Sequence, residues 1–143
     1  MATQHSNNYK EKLLRGTIHF GTDTFKVALM NSSFVYNPAT HDAYSNISGS
    51  EMPTAAGYTI GGATLAGVTI TCDDLNNKVS VTWNTVTWTA TADLGPISGA
   101  IIYHDTPAAG ADKTVVGFLD FGTLKTVLSG GTLSLPGIKV ESL

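Results

Sequence analysis

Apolar and polar residues alternate along much of this chain, most clearly in VSVTWNTVTWTATA, residues 79–92, which contains no charged residue. Val79, Val81 and Trp83 share one parity, and Val86, Trp88 and Ala90 share the other. A two-residue connection at Asn84-Thr85 reconciles them. It sets Trp83 opposite Val86, Val81 opposite Trp88 and Val79 opposite Ala90, with six apolar side chains on one face. Upstream, GVTITC places Val68, Ile70 and Cys72 in register, and a turn over DDLNNK sets Cys72 against Val79, Ile70 against Val81 and Val68 against Trp83. The pattern predicts a three-stranded meander. ISGAIIYHD and TVVGFLDFG are apolar at both parities, as befits central strands covered on both sides, with TPAAGADK connecting them and Asp105-Thr106-Pro107 opening the turn.

The remaining elements are shorter. Asn8 with Glu11 three residues on, Lys12 and Arg15 in a last turn, and Gly16 as a stop predict one helix over 8–15. Tyr9 and Leu13 lie one turn apart on it, placed to dock on the body or on a neighbour. Thr17–Phe20 and Thr24–Asn31 read as strands around the turn Gly21-Thr22-Asp23. Residues 32–57 lack periodicity and read as a long surface loop carrying Phe34, Val35, Tyr36 and Tyr44, apolar groups costly to leave in water. TLSLPGIKVESL offers two strands broken at Pro136-Gly137. Nine to ten short strands and one helix predict an all-β fold: a single-domain antiparallel β-sandwich or jelly-roll-like fold over residues 1–143, with a short N-terminal helix.

Composition narrows the function classes. The chain has 143 residues, of which 13% are charged and 42% hydrophobic, so Thr, Ser and Asn must supply the polar surface where about 25% charged residues is usual. Few charges suit sheets that meet a partner, since fewer must be desolvated there. A formal net charge of −3 without a basic cluster argues against nucleic acid. The beginning lacks a secretory pattern and no apolar run approaches a membrane span, so the expectation is a soluble protein made in the cytosol. Cys72 is the sole cysteine, which excludes an internal disulfide.

Candidate chemistry is sparse. His41-Asp42 and His104-Asp105 look like dyads, but neighbours on an extended chain point to opposite faces. The glycines between Gly57 and Gly67 lack the Lys-Ser/Thr pair and following helix of a phosphate loop. The histidines at 5, 19, 41 and 104 have no metal-ligand spacing. No catalytic residue, cofactor or metal is therefore expected. Trp83 and Trp88 share the predicted core face, which favours burial over a sugar-stacking role. The expected partner-binding residues are Tyr9 and Leu13 of the helix, and Phe34, Tyr36 and Tyr44 of the long loop.

The order NNYKEKLLRGTIHFGTDTFKVALM, GYTIGGATLAGVTIT, VTWTATADLGPISGAIIYHDT and VVGFLDFG resembles a group of small tailed-bacteriophage virion structural proteins, over roughly residues 8–122. The shared motifs are structural punctuation and bring no catalytic residue. The resemblance implies a virion protein: a capsid decoration or cement subunit stabilising the head by lattice contacts, or a tail-associated accessory protein. Its partners would be the major capsid protein or other virion proteins and further copies of itself, a trimer being natural at threefold positions. It would be made and assembled in the host cytoplasm, binding neither nucleic acid nor membrane. The rivals are a receptor- or carbohydrate-binding β module, which would expose loop aromatics, and a hydrolase, which would bury perturbed histidines or carboxylates in a cleft.

Overall fold

The alternating stretches become strands. The computed structural model describes residues 2–105 and 113–141, and in chain order these form β1 (Ala2–His5), α1 (Asn7–Leu14), β2 (Phe25–Asn31), α2 (Tyr44–Ile47), β3 (Ala63–Thr64), β4 (Thr69–Asp73) and β5 (Lys78–Thr82). They continue with β6 (Val86–Thr89), β7 (Leu94–His104), β8 (Val115–Val127), β9 (Thr132–Leu135) and β10 (Lys139–Glu141). The principal sheet has the order β1-β8-β7-β2-β3, and two smaller sheets, β10-β5-β4 and β6-β9, form a second layer. Every strand pair is antiparallel, and the result is an all-β, sandwich-like architecture with little helix. Residues 106–112 of the TPAAGADK connection, including the Thr106-Pro107 part of the predicted turn, lie outside the described residues.

The two-parity strands sit where their pattern requires, with β7 and β8 adjacent at the centre of the principal sheet. Their alternate residues feed two different cores. Phe25, Val27 and Leu29 of β2, Ala100 and Ile102 of β7, and Val116 and Leu119 of β8 face the second layer, where they pack with Val81, Trp83, Trp88, Leu133, Leu135 and Val140. Ala28, Met30, Ile101, Tyr103, Val115 and Phe118 face the other way, and Phe34 and Ile47 close over them.

That covering differs from the expected surface loop. Residues 32–57 contain α2 and a 3-10 turn at Ser48–Ser50 and lie across the outer face of the sheet, with Phe34 and Ile47 buried in the outer cluster and Met52 in the inner one. No period announced this, because the three side chains come from irregular backbone and are matched to the sheet beneath.

The β4–β5 pairing follows the expected register, Ile70 opposite Val81 and Cys72 opposite Val79. The meander does not continue. After Thr82 the Trp83 amide donates to Ile138 O at 3.1 Å and the Asn84 amide to Ala66 O at 2.9 Å, so these donors are spent on other segments and no hairpin forms at Asn84-Thr85. C-terminal strands fill the gap: β5 pairs with β10, and β6 with β9, Val86 opposite Leu135 and Trp88 opposite Leu133. Trp83, Trp88 and Ala90 still reach the common core. Parity was read correctly; partners were not.

The helix begins one residue earlier than expected. Ser6, not Asn8, is its cap, with Oγ accepting the Tyr9 amide at 3.0 Å. It ends as expected at Gly16, whose φ of 71° suits glycine; Gly16 N–H donates to Leu13 O and Thr17 N–H to Lys12 O, satisfying the last carbonyls. Thr17–Phe20 is not a strand. The Asp23 carboxylate takes the His19 amide at 2.9 Å, turning this segment into a local loop, although Ile18 and Phe20 are buried.

Trp88 contacts the principal core from the second layer. Trp88→Ala should cost about 3–5 kcal/mol through lost burial and a cavity, measured by chemical denaturation; wild-type stability would contradict its core placement.

Candidate functional site

The expected contact residues occupy very different positions. Tyr9 and Phe34 are buried, Phe34 with an edge on the pocket described below. Tyr36 and Tyr44 are half-buried and pack against the outer core cluster. Leu13 is the one of the five that stands in water, and Leu14 beside it is more exposed still. The physical reason is the same for the four: each covers apolar sheet that would otherwise face solvent.

The outer face is organised around Glu51, one of three glutamates in the chain and buried. Tyr58 donates to its Oε1 at 2.5 Å, the Gly61 amide donates to the same oxygen at 2.7 Å, and Tyr44 donates to Oε2. Tyr58 Oη in turn accepts the Leu29 amide of β2 at 3.0 Å. Tyr103 stacks near Tyr44 with ring centroids 4.7 Å apart and donates to Gly61 O at 2.6 Å. A buried carboxylate with three donors thus ties the covering segment, the glycine-rich turn and β2 together. The turn comes close enough for this because Gly62 has no side chain; a Cβ there would lie 1.9 Å from Val27 O. Burial, reinforced by Glu51, pushes the Tyr58 and Tyr44 phenols well above their usual range. Burial alone pushes Tyr9 up to about 12.

Two histidines meet at one carboxylate, His104 Nε2 at 2.8 Å and His19 Nδ1 at 3.9 Å from Asp23 Oδ2, and His5 and His41 lie elsewhere. Among the described residues no group of three or more His, Cys, Asp or Glu side chains is placed to hold a metal. His104 is buried and shares a hydrogen bond with Asp23 at 2.8 Å, Nε2 to Oδ2, rather than with its neighbour Asp105. Desolvation works to raise the Asp23 carboxyl, but the His19 amide and His104 outweigh it and hold the group below its ordinary value. Asp105 instead pairs with Lys113 at 2.6 Å and Lys26 at 3.6 Å. His41 Nδ1 accepts the Asn37 amide at 2.9 Å within the covering segment. In each case the partner comes from elsewhere in the fold or from a local turn. The unpairing of His41 from Asp42 and of His104 from Asp105 was legible beforehand, from strand geometry.

Two features qualify as binding surfaces, and the sequence pattern hinted at one. The first is the β4–β5 hairpin. Its apolar face begins at buried Val81 and runs outward through Ile70 at 53% exposure, Val79 at 40% and the exposed Cys72, with Leu75 at the tip 92% exposed. The pattern predicted this face and assigned it to the core; the hairpin extends beyond the layer that would cover it. Among the described residues the outer edge of β4 has no strand neighbour. The second is a pocket of about 260 Å³ lined by Gln4, Phe34, Val35, Tyr36, Ser98, Phe118 and Asp120. Its residues come from four separate segments, so nothing in their spacing marks them.

The Glu51 network generates two linked expectations. Tyr58→Phe removes a donor from Glu51 and the acceptor of the Leu29 amide, and should cost about 1–3 kcal/mol. The folded state holds the protons of Tyr9, Tyr44 and Tyr58 more tightly than an unfolded chain, whose tyrosines ionise near pH 10. Stability should therefore be complete below about pH 10 and fall as pH rises towards 12 and above. Denaturation midpoints across that range check both; a flat profile would contradict the buried phenols. Set against known proteins, the chain matches no family model, no curated protein and no solved structure.

Proposed function

We propose that this protein is a non-catalytic structural subunit of a tailed-bacteriophage virion, most specifically a decoration or cement subunit that attaches to the assembled head and stabilises it through lattice contacts. The observation that carries the reading is the apolar face of the β4–β5 hairpin, which leaves the core and stands in water. Ile70, Val79 and Leu75 are exposed together there. A soluble domain that keeps such a surface has a use for it at an interface. The low charge content supports the same reading, because a charge-poor surface is cheaper to desolvate against a neighbour. The motif resemblance supplies the virion context.

Attachment in this reading is multivalent. Each subunit makes a modest contact, and repetition over a lattice converts it into lasting association. Further copies of the chain and the major capsid protein are the partners proposed, and the unpaired edge of β4 offers backbone donors and acceptors to either. The trimer suggested by threefold lattice positions belongs to the same proposal. With Tyr9 and Phe34 buried, this reading centres the main particle contact on the hairpin.

The test is a double substitution, Ile70→Ser with Val79→Ser. Both side chains are exposed, so stability should change by no more than about 0.5 kcal/mol for each, checked by circular dichroism and thermal melting. Co-sedimentation with particles stripped of the wild-type protein should show affinity reduced at least about tenfold, the loss of roughly 1.4 kcal/mol. Undiminished attachment by the folded variant would remove the hairpin from the interface. Light scattering of the wild-type chain tests self-association.

A further inference from the structure

The pocket on the outer face contains a carboxylate that has no cation beside it among the described residues. Asp120 lies on β8 at the pocket wall, half-buried. One oxygen accepts the Gly122 amide at 2.8 Å, and the carboxylate takes no other hydrogen bond and no ion pair among the described residues. Four other partly or fully buried carboxylates are treated differently. Asp23 has His104, Glu51 has two phenols, Asp105 has two lysines, and Glu141 has Lys78 and Lys139. A carboxylate drawn out of water without such a partner is costly.

Beside it stand three aromatic rings. Phe118 lies 5.4 Å from Phe34 and 5.6 Å from Tyr36, centroid to centroid, and Phe34 and Tyr36 are 6.4 Å apart. The floor is fixed by Gly99, where a Cβ would fall 2.6 Å from the Phe118 ring, so the ring rests directly on the backbone of β7. Val35, 80% exposed, forms an apolar rim. No lysine or arginine lines the cavity.

We propose that this pocket takes a cationic side chain, an arginine presented by a partner protein. The charge complementarity is direct: a carboxylate with no cation beside it among the described residues, next to the half-buried ring of Tyr36, attracts a cation and repels an anion. Arginine fits better than lysine because its planar guanidinium stacks on rings while its fork engages a carboxylate. Its aliphatic stem would cover Val35. A cavity of about 260 Å³ accommodates one side chain or one small ring. The inference rests on the attachment reading only for who supplies the arginine.

The probe is N-acetyl-arginine amide, titrated into isotope-labelled protein while the backbone amide resonances of Gln4, Val35, Gly99 and Gly122 are followed. N-acetyl-citrulline amide, of nearly the same shape without the charge, and methyl glucoside serve as parallel ligands. Saturable shifts confined to the pocket are expected with the arginine compound, with a dissociation constant on the order of 1–10 mM for a single side chain. Citrulline should bind at least about tenfold more weakly. Asp120→Asn keeps an acceptor for the Gly122 amide and should fold normally, yet reduce arginine binding at least about tenfold. Tyr36→Leu gives a second, ring-deleting variant and should also weaken it. No pocket shifts with the arginine compound, equal shifts with citrulline, stronger shifts with the glucoside, or full binding by folded Asp120→Asn would each overturn the proposal. Because this titration involves no particle and no hairpin residue, its failure is distinct from failure of attachment.

Discussion

A sheet that is apolar on both faces must be covered on both, and this requirement governs the molecule. β7 and β8 carry buried residues at successive positions, Ala100 and Ile102 toward one core, Ile101 and Tyr103 toward the other. Either face left bare would place several large side chains in water at about 1.5–3 kcal/mol each. One face is closed by regular structure, two small sheets bringing Trp83, Trp88, Leu133 and Leu135. The other is closed by a segment with almost no regular structure. That asymmetry explains why the chain spends residues 32–57 on what looks like a loop.

An irregular cover needs fixing by polar bonds, since it has no ladder of its own. Glu51 meets this need. It gathers Tyr44, Tyr58 and the Gly61 amide, while Tyr58 reaches the Leu29 amide on β2. A carboxylate is a demanding anchor because it must keep all its donors, and the reward is a covering segment held in one position. The same closure creates the pocket at its margin, where Phe34 and Tyr36 meet β8 near Asp120.

The binding features follow from where covering stops. The β4–β5 hairpin has the alternation of a buried strand pair, but only its base, at Val81, is beneath the second core layer. Beyond that point the apolar face continues without a cover inside the molecule. Asp120 is the polar counterpart, a carboxylate with no cation beside it among the described residues. Both are unfinished surfaces among the described residues.

What the sequence by itself determined was everything set by local periodicity and turn chemistry. The all-β class, the central position of β7 and β8, the Ile70–Val81 register and the Gly16 helix stop all rest on neighbours within a few residues, where side-chain alternation and glycine conformation decide the outcome. Tertiary structure decided what periodicity cannot encode. Trp83 and Trp88 alternate correctly, yet β5 and β6 chose C-terminal partners because the backbone donors at Trp83 and Asn84 were taken by Ile138 and Ala66. Tyr9 and Phe34 looked like free apolar groups until the surfaces they cover were assembled. Asp23 and His104 lie 81 residues apart, and the pocket draws on residues from Gln4 to Asp120. Alternation tells a side chain which face it occupies; only the packed chain settles what that face meets.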